Sequence, residues 1–170
     1  MPPFQRDAFP VDPLGPRIDE LIRTARLAGF MDVADWAISE RNGYQREVPT
    51  YRKVSGIPMA FSPLQGWVPL YLKDKSVLKT AGAHDLRQSV GAIEQAIAQS
   101  LSGKAYVHYG AEQIRLLNAH AGATFAQMST CLDVALLKSV LRSVRALTMH
   151  WQAQISVKIP EDTGRPAASA

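Results

Sequence analysis

The chain has 170 residues, of which 19 are Lys or Arg and 15 are Asp or Glu, and its formal net charge is +4. This length suits one domain with a real core, and so small a basic excess is ordinary in proteins that never contact nucleic acid. Cys131 is the only cysteine, which excludes an internal disulfide. Lacking a signal-like start or a membrane-length apolar run, the sequence predicts a cytoplasmic protein.

Two helices are predicted near the N-terminus. Residues 1–12 read as a proline-punctuated arm, and over residues 13–29 apolar side chains then recur at helical spacing with arginines outside that stripe. A second, shorter helix is predicted over residues 32–41. Its predicted inner face consists of Val33, Trp36, Ala37 and Glu40. The two helices together predict a helical hairpin.

The end of the second helix carries a distinctive signal. Asn42 and Gly43 are residue types that tolerate a left-handed backbone, so they end a helix without strain. Tyr44 follows at once and is placed to fold back on the last turn. Pro49 then biases the next residues away from helix.

Residues 50–72 have an extended rather than a helical pattern, with a turn near the middle. The prolines of this region are Pro58, Pro63 and Pro69. Because each proline removes a backbone donor, the sequence predicts edge strands or irregular arms here. Residues 73–84 are predicted to form a loop.

The second half of the chain mixes helices and strands. Asp85, with Gln88 three residues later, has the pattern of a capping box and predicts a helix that continues to Leu101. The elements predicted after it are a strand at 106–109, a helix at 111–120 and a strand at 126–132.

The strongest helical pattern covers residues 133–157, with Asp133 as its cap. Its apolar side chains repeat at alternating steps of four and three for almost three heptads, so it either packs along the whole domain or pairs with another copy. The sequence therefore predicts an α+β fold. It is a mostly helical single domain (13–157) with an N-terminal helical hairpin, a small irregular sheet or arm and a long C-terminal helix, followed by a disordered tail at 158–170.

Three sets of residues form ordered motifs along the chain. The first set surrounds the end of the second helix and consists of Trp36, Glu40, Asn42, Gly43, Tyr44, Pro49, Tyr51 and Arg52. The second set consists of Val68, Pro69 and Leu70, followed by Arg87, Ser89, Val90, Ile93 and Glu94. The third set, in the closing helix, consists of Leu141, Val144, Arg145 and Trp151.

In this order the motifs resemble the AbiTii-type abortive-infection domain of bacterial phage defence, over about residues 13–157. Residues 104–132 match it least. The resemblance implies a protein that halts phage infection, often as one module of a longer or multi-gene system. It brings no catalytic residue with it.

Two interpretations of the first motif remain open. Glu40, Asn42, Tyr44 and Arg52 either gather into a polar constellation at the end of the hairpin or have separate structural roles. In the second case Asn42 and Gly43 cap the helix, while Tyr44 packs and donates its hydroxyl to a backbone group.

The closing helix offers an alternative function. Arg145 and His150 match the Arg-x4–6-His pattern of HEPN ribonucleases, and Arg115 with His120 is a second match. Within a regular helix, five residues turn two side chains about 140° apart, so such a pair does not converge. The match is also of the kind expected by chance.

A basic stripe on the closing helix includes Lys138, Arg142 and Arg145. The stripe either contacts phosphate or an acidic partner, or is simply a solvated flank. Arg145 alternatively turns inward to pair with Glu40 or Glu94. The four histidines lie far apart without companion cysteines, so no metal site is predicted, and no cofactor is predicted.

The sequence thus predicts a non-enzymatic component of an anti-phage system that acts by protein contact, as an oligomerising, sensing or regulatory subunit. The expected partner is a protein of the same system or another copy of the chain. Residues predicted to contact it are Trp67, Tyr71, Lys138, Arg142 and Arg145. The alternatives are a ribonuclease toxin using Arg145 and His150, and a nucleic-acid-binding subunit using the basic stripe.

Overall fold

A computed structural model describes residues 12–158. The predicted α+β class is confirmed, with helices and two small antiparallel sheets in this part of the chain. The helices are α1 (Leu14–Leu27), α2 (Met31–Asn42), α3 (Lys75–Gly82), α4 (Val90–Gln99), α5 (Ala111–Ala121) and α6 (Val134–Lys158). The strands are β1 (Lys53–Ser55), β2 (Ile57–Ser62), β3 (Gly66–Pro69), β4 (Ala83–Asp85), β5 (Lys104–His108) and β6 (Met128–Asp133).

The N-terminal helical hairpin is confirmed as α1 and α2. Between them Gly29 has φ of +78°, a left-handed conformation that glycine adopts at little cost. The Phe30 backbone N–H then donates to the Ala25 carbonyl at 2.8 Å, which closes the turn. The inward stripe of α1, which includes Ile18 and Leu21, is fully buried against the rest of the helical layer.

Helix α6 spans almost the whole predicted final helix. Asp133 caps it, because its carboxylate accepts from the Ala135 N–H at 2.8 Å. The apolar stripe, including Leu141 and Val144, is buried in the same cluster as α1 and α4. The long seam therefore packs along the domain and is not left free for a second copy.

The larger sheet has the strand order β3-β2-β6-β5, and all neighbouring strands are antiparallel. Strand β3 lies at an edge, as its proline predicted, but β2 is an inner strand in spite of Pro58. The Pro58 carbonyl accepts from the Leu70 N–H at 2.9 Å, just past the end of β3. The missing donor of Pro58 therefore faces the end of the short edge strand, where it disrupts little.

The region predicted as a loop at 73–84 contains helix α3 and strand β4, so this prediction was wrong. Asp74 caps α3, with its carboxylate accepting from the Ser76 N–H at 2.8 Å. Strand β4 pairs with β1 in the second, two-stranded sheet, next to a short 3-10 turn at Thr50–Arg52.

The predicted start of α4 at Asp85 was also wrong. Asp85 ends β4, and the cap is Ser89, whose hydroxyl accepts from the Ala92 N–H at 3.2 Å. Residues 85–89 instead connect the two-stranded sheet to the helix. Strand β6 was predicted correctly as a strand, although Met128 to Leu132 are buried on both faces rather than on alternate ones.

Two apolar clusters form the interior. The larger one lies between α1, α2, α4 and α6, and the smaller one joins the inner face of the four-stranded sheet to α3 and α5. Most of the predicted arm at 1–12 and of the tail at 158–170 lies outside the described residues. No helix between residues 12 and 158 has the length and hydropathy needed to cross a bilayer.

Candidate functional site

An ion pair between Glu40 and Arg52 lies at the centre of the first sequence motif, with both side chains 0% exposed. The Arg52 guanidinium reaches both carboxylate oxygens, through Nη2 to Oε2 and through Nε to Oε1. Its Nη1 donates to the carbonyl oxygens of Leu86 (2.8 Å) and Gln88 (2.7 Å). A charge this deeply buried is stable only when paired and hydrogen-bonded, and both conditions are met here.

Two tyrosines complete the coordination of the carboxylate. The hydroxyls of Tyr44 and Tyr51 each donate to Glu40 Oε1 at 2.6 Å. The Trp36 indole N–H in turn donates to the Tyr51 hydroxyl at 2.8 Å. Burial, reinforced by the hydrogen bonds to Glu40, raises the pKa of both phenols, that of Tyr51 to about 12. The two tyrosines therefore act as fixed donors and not as proton carriers near neutral pH.

The backbone brings these side chains together at the end of α2. Gly43 has φ of +93°, and a Cβ atom there would lie 2.8 Å from the Arg87 carbonyl oxygen. The same carbonyl accepts from the Tyr44 N–H at 2.8 Å, and the Leu86 N–H donates to the Arg52 carbonyl at 2.9 Å. These backbone hydrogen bonds thus join the chain just after α2 to the segment that precedes α4.

Of the predicted polar constellation, Glu40, Tyr44 and Arg52 do come together. Asn42 is the last residue of α2, and among the described contacts its side chain makes none to this network. The alternative in which Tyr44 donates to a backbone group was wrong, because its hydroxyl donates to Glu40. Tyr51 is a further member that was not predicted from the sequence, although it adjoins Arg52.

A cavity of about 620 Å³ adjoins this network. It lies between the loop preceding α2, the Pro49–Tyr51 segment and the second half of α6. We name it the aromatic cavity, since the rings of Phe30, Trp36, Tyr51 and Trp151 line it. The network reaches the cavity through Trp36 and Tyr51, which belong to both.

Comparison with known proteins assigns the family. The sequence model of the AbiTii family matches residues 20–167, which is most of the chain. The chain belongs to the AbiTii family. Membership indicates an abortive-infection role against phage, and it confirms the resemblance carried by the motifs. No curated protein and no solved structure gives a significant match.

The basic stripe of this AbiTii chain does not gather at one site. Arg145 turns toward the start of α1, where its Nη2 donates to the Asp12 carbonyl at 2.7 Å. It therefore pairs with neither Glu40 nor Glu94, and the Glu94 carboxylate accepts from the Leu14 N–H at 3.0 Å. Lys138 is half-buried and Arg142 is exposed.

The two Arg–His pairs suggested by the ribonuclease pattern have other contacts. The His150 ring packs edge-on against Trp151, with centroids 5.3 Å apart, while Arg145 contacts Asp12. Arg115 forms an exposed ion pair with Glu112 at 2.6 Å. Within residues 12–158, no three His, Cys, Asp or Glu side chains are grouped as metal ligands.

The two aromatic residues predicted to contact a partner lie on different surfaces. Trp67 projects from β3 across the outer face of the four-stranded sheet, where its ring lies 5.5 Å from those of Phe61 and Tyr106 and 5.7 Å from that of His108. Tyr71 lies beyond the end of β3 and is 86% exposed. Partner contact at either position stays a prediction.

Proposed function

We propose that this protein is a non-enzymatic component of an abortive-infection system and that it acts by docking another protein of the same system. The docking surface is the outer face of the four-stranded sheet, which we call the aromatic face. Its members are Ile57, Phe61, Trp67, Tyr106 and His108.

One observation carries the proposal: a tryptophan from one edge strand stacks on a tyrosine from the opposite edge strand. Trp67 on β3 and Tyr106 on β5 have nearly parallel rings, with an interplanar angle of 26°. Tyr106 itself is 39% exposed, and Ile57 on the same face is 58% exposed. Tryptophan and tyrosine are enriched in interface hot spots, where neighbouring contacts exclude water once the partner is bound.

The charges on this face favour a protein partner over a nucleic acid. Lys104 and Asp133 lie at the same end of the face and pair with each other at 2.9 Å. Binding to a phosphate backbone relies on cations that are free to neutralise it. The one lysine on the face already has a carboxylate partner, so the face is close to neutral.

The non-enzymatic assignment is supported by the way in which the buried charges are used. Glu40 and Arg52 are fully enclosed, and their polar atoms are satisfied by tyrosine hydroxyls and backbone carbonyls. An acid or base that acts on a substrate has to reach it within hydrogen-bond distance. This pair instead stabilises the join between α2 and the segment preceding α4.

The test uses two substitutions of the same kind on different surfaces. Ile57→Lys places a charge on the aromatic face, and Leu27→Lys places one at the end of α1, where the leucine is 74% exposed against 58% for Ile57. Each variant is co-expressed with the proteins of the adjacent genes, and both co-purification and plaque formation by phage are measured. We expect Ile57→Lys to abolish capture and protection, whereas Leu27→Lys behaves as wild type.

Three results would overturn the proposal. The first is equal behaviour of the two lysine variants. The second is RNA retained by the wild-type chain and lost with Ile57→Lys, which would identify a nucleic-acid surface. The third is RNA cleavage by the purified chain that Arg145→Ala and His150→Ala abolish without changing thermal unfolding, which would support the ribonuclease alternative.

A further inference from the structure

The aromatic cavity has a composition that neither the family match nor the proposed docking surface explains. Its volume of about 620 Å³ lies within the range of small-molecule sites. Four of its lining residues are aromatic, and they come from three separate parts of the chain: the start of α2, the 3-10 turn and α6. Such convergence places several ring faces around one volume.

The buried network holds two of these rings in place. The Trp36 indole is fixed by its hydrogen bond to the Tyr51 hydroxyl, and that hydroxyl is fixed by Glu40. Because Glu40 is held in turn by the buried Arg52, neither ring can reorient without breaking one of these hydrogen bonds. The rings are therefore preorganised, which lowers the entropic cost of binding a ligand.

Two charged residues, one over a lining ring and one in the lining, add a second, independent indication. The Lys158 ammonium lies over the face of Phe30, 4.7 Å from the ring centroid. One aromatic residue of the cavity lining therefore already contacts a cation. Asp32, which also lines the cavity, is exposed and has no ion-pair partner among residues 12–158.

We propose that the aromatic cavity binds an organic cation of the alkylammonium class. The cation would lie against the ring faces, which carry negative electrostatic potential, with the Asp32 carboxylate beside it. An alkylated ammonium suits this setting because its methyl groups contact the apolar walls while its charge is attracted to the rings. Lys158 occupies one ring face and is a competitor within the chain.

Two positive groups close to the lining residues oppose the binding of a cation. One is Lys158, and the other is the N-terminal end of α2, whose dipole favours anions. Asp32 lies in the first turn of α2 and offsets that dipole. The competing possibility, an anion held by Lys158 and the start of α2, therefore makes the opposite prediction for each substitution.

The experiment compares choline with its neutral analogue, in which a carbon atom replaces the nitrogen. The two probes have the same shape, so a difference in affinity reports the charge alone. Binding is measured by calorimetry on the whole chain and located by NMR of the indole N–H groups. We expect choline to bind about five- to tenfold more tightly than the analogue, and to shift the signals of Trp36 and Trp151 but not that of Trp67.

Substitutions of Asp32 and Lys158 distinguish a bound cation from a bound anion. Asp32→Asn should weaken choline binding several-fold, whereas Asp35→Asn, a carboxylate change on the same helix outside the cavity lining, should leave it unchanged. Lys158→Met should strengthen binding. Thermal unfolding of each variant confirms that it is folded.

Equal affinity for choline and its analogue would overturn the inference, as would absence of binding by both. Binding of inorganic phosphate that is lost with Lys158→Met would overturn it in favour of an anion. None of these results depends on the aromatic face, because Trp67 and its neighbours lie outside the cavity lining. Failure here and failure of the proposed docking function are therefore distinguishable.

Discussion

Glu40 is the residue on which the local structure depends most. Its carboxylate is removed from water and receives hydrogen bonds from two tyrosine hydroxyls and one guanidinium. Removing one member of a buried pair leaves the other charge without compensation, and this costs far more than the net contribution of the pair. The network should therefore tolerate no single neutral replacement at this position.

We predict that Glu40→Gln lowers the free energy of unfolding by about 3–5 kcal/mol, because the Arg52 charge stays buried without its counter-charge. Urea unfolding followed by circular dichroism measures the loss. Glu20→Gln serves as the matched control, since Glu20 forms an exposed pair with Arg23 on α1 and should change stability little. Similar losses of unfolding free energy in the two variants would show that the buried pair contributes no more to stability than an exposed one.

At the residue scale, side chains of the Glu40 network could be predicted from the sequence, but the backbone groups that they contact could not. Glu40, Tyr44 and Arg52 could be proposed as a constellation because they flank one helix end. The carbonyl acceptors of Leu86 and Gln88 could not, since backbone groups carry no signature in the sequence and lie 34 and 36 positions from Arg52. The alternative in which Arg145 pairs with Glu40 or Glu94 was wrong for the same reason, because its acceptor is the carbonyl of Asp12.

At the scale of elements, Gly43 joins α2 to the segment before α4. Its positive φ is one constraint, and the close approach of the Arg87 carbonyl is another. The second constraint is absent at Gly122, which also has positive φ but has open space where a Cβ would lie. A substitution at Gly122 therefore meets only the cost of the backbone conformation, whereas one at Gly43 meets that cost and a steric clash as well.

We predict that Gly43→Ala destabilises the protein by more than the roughly 1 kcal/mol expected for a left-handed backbone alone. Gly122→Ala should show only that smaller cost, and Gly110→Ala, which has open space and ordinary φ, should be nearly neutral. Denaturant midpoints of the three variants give the comparison. Equal destabilisation by Gly43→Ala and Gly122→Ala would show that the Arg87 carbonyl imposes no additional cost.

Elements with a long apolar period were predicted well, whereas among the short elements β6 was found and α3 was missed. Helices α1 and α6 have continuous stripes, so their limits followed from spacing. Helix α3 has only eight residues and a single cap at Asp74, which a glycine-containing stretch obscured. Strand β2 was placed at an edge because of Pro58, and only the pairing register shows that the missing donor faces the end of β3.

At the scale of the whole molecule, two apolar clusters of unequal size hold the structure together. The larger cluster unites the helices that are far apart in sequence, α1 and α6. The smaller cluster contains Leu117 of α5 and Met128 of β6, together with the partly buried side chains of α3. Since apolar burial is the main stabilising term, the region with less of it should open at lower free energy.

We predict that amides of α5 exchange with solvent faster than those of α1, by local opening that leaves the helical layer folded. Hydrogen exchange measured by mass spectrometry compares peptides from 111–121 and 14–27. Leu117→Ala should accelerate exchange in α5 alone, whereas Leu21→Ala, a substitution of the same size in the larger cluster, should accelerate it throughout the chain. If both substitutions accelerate exchange everywhere, the two clusters unfold as one unit, and the sheet carrying the aromatic face is then as rigid as the helices behind the aromatic cavity.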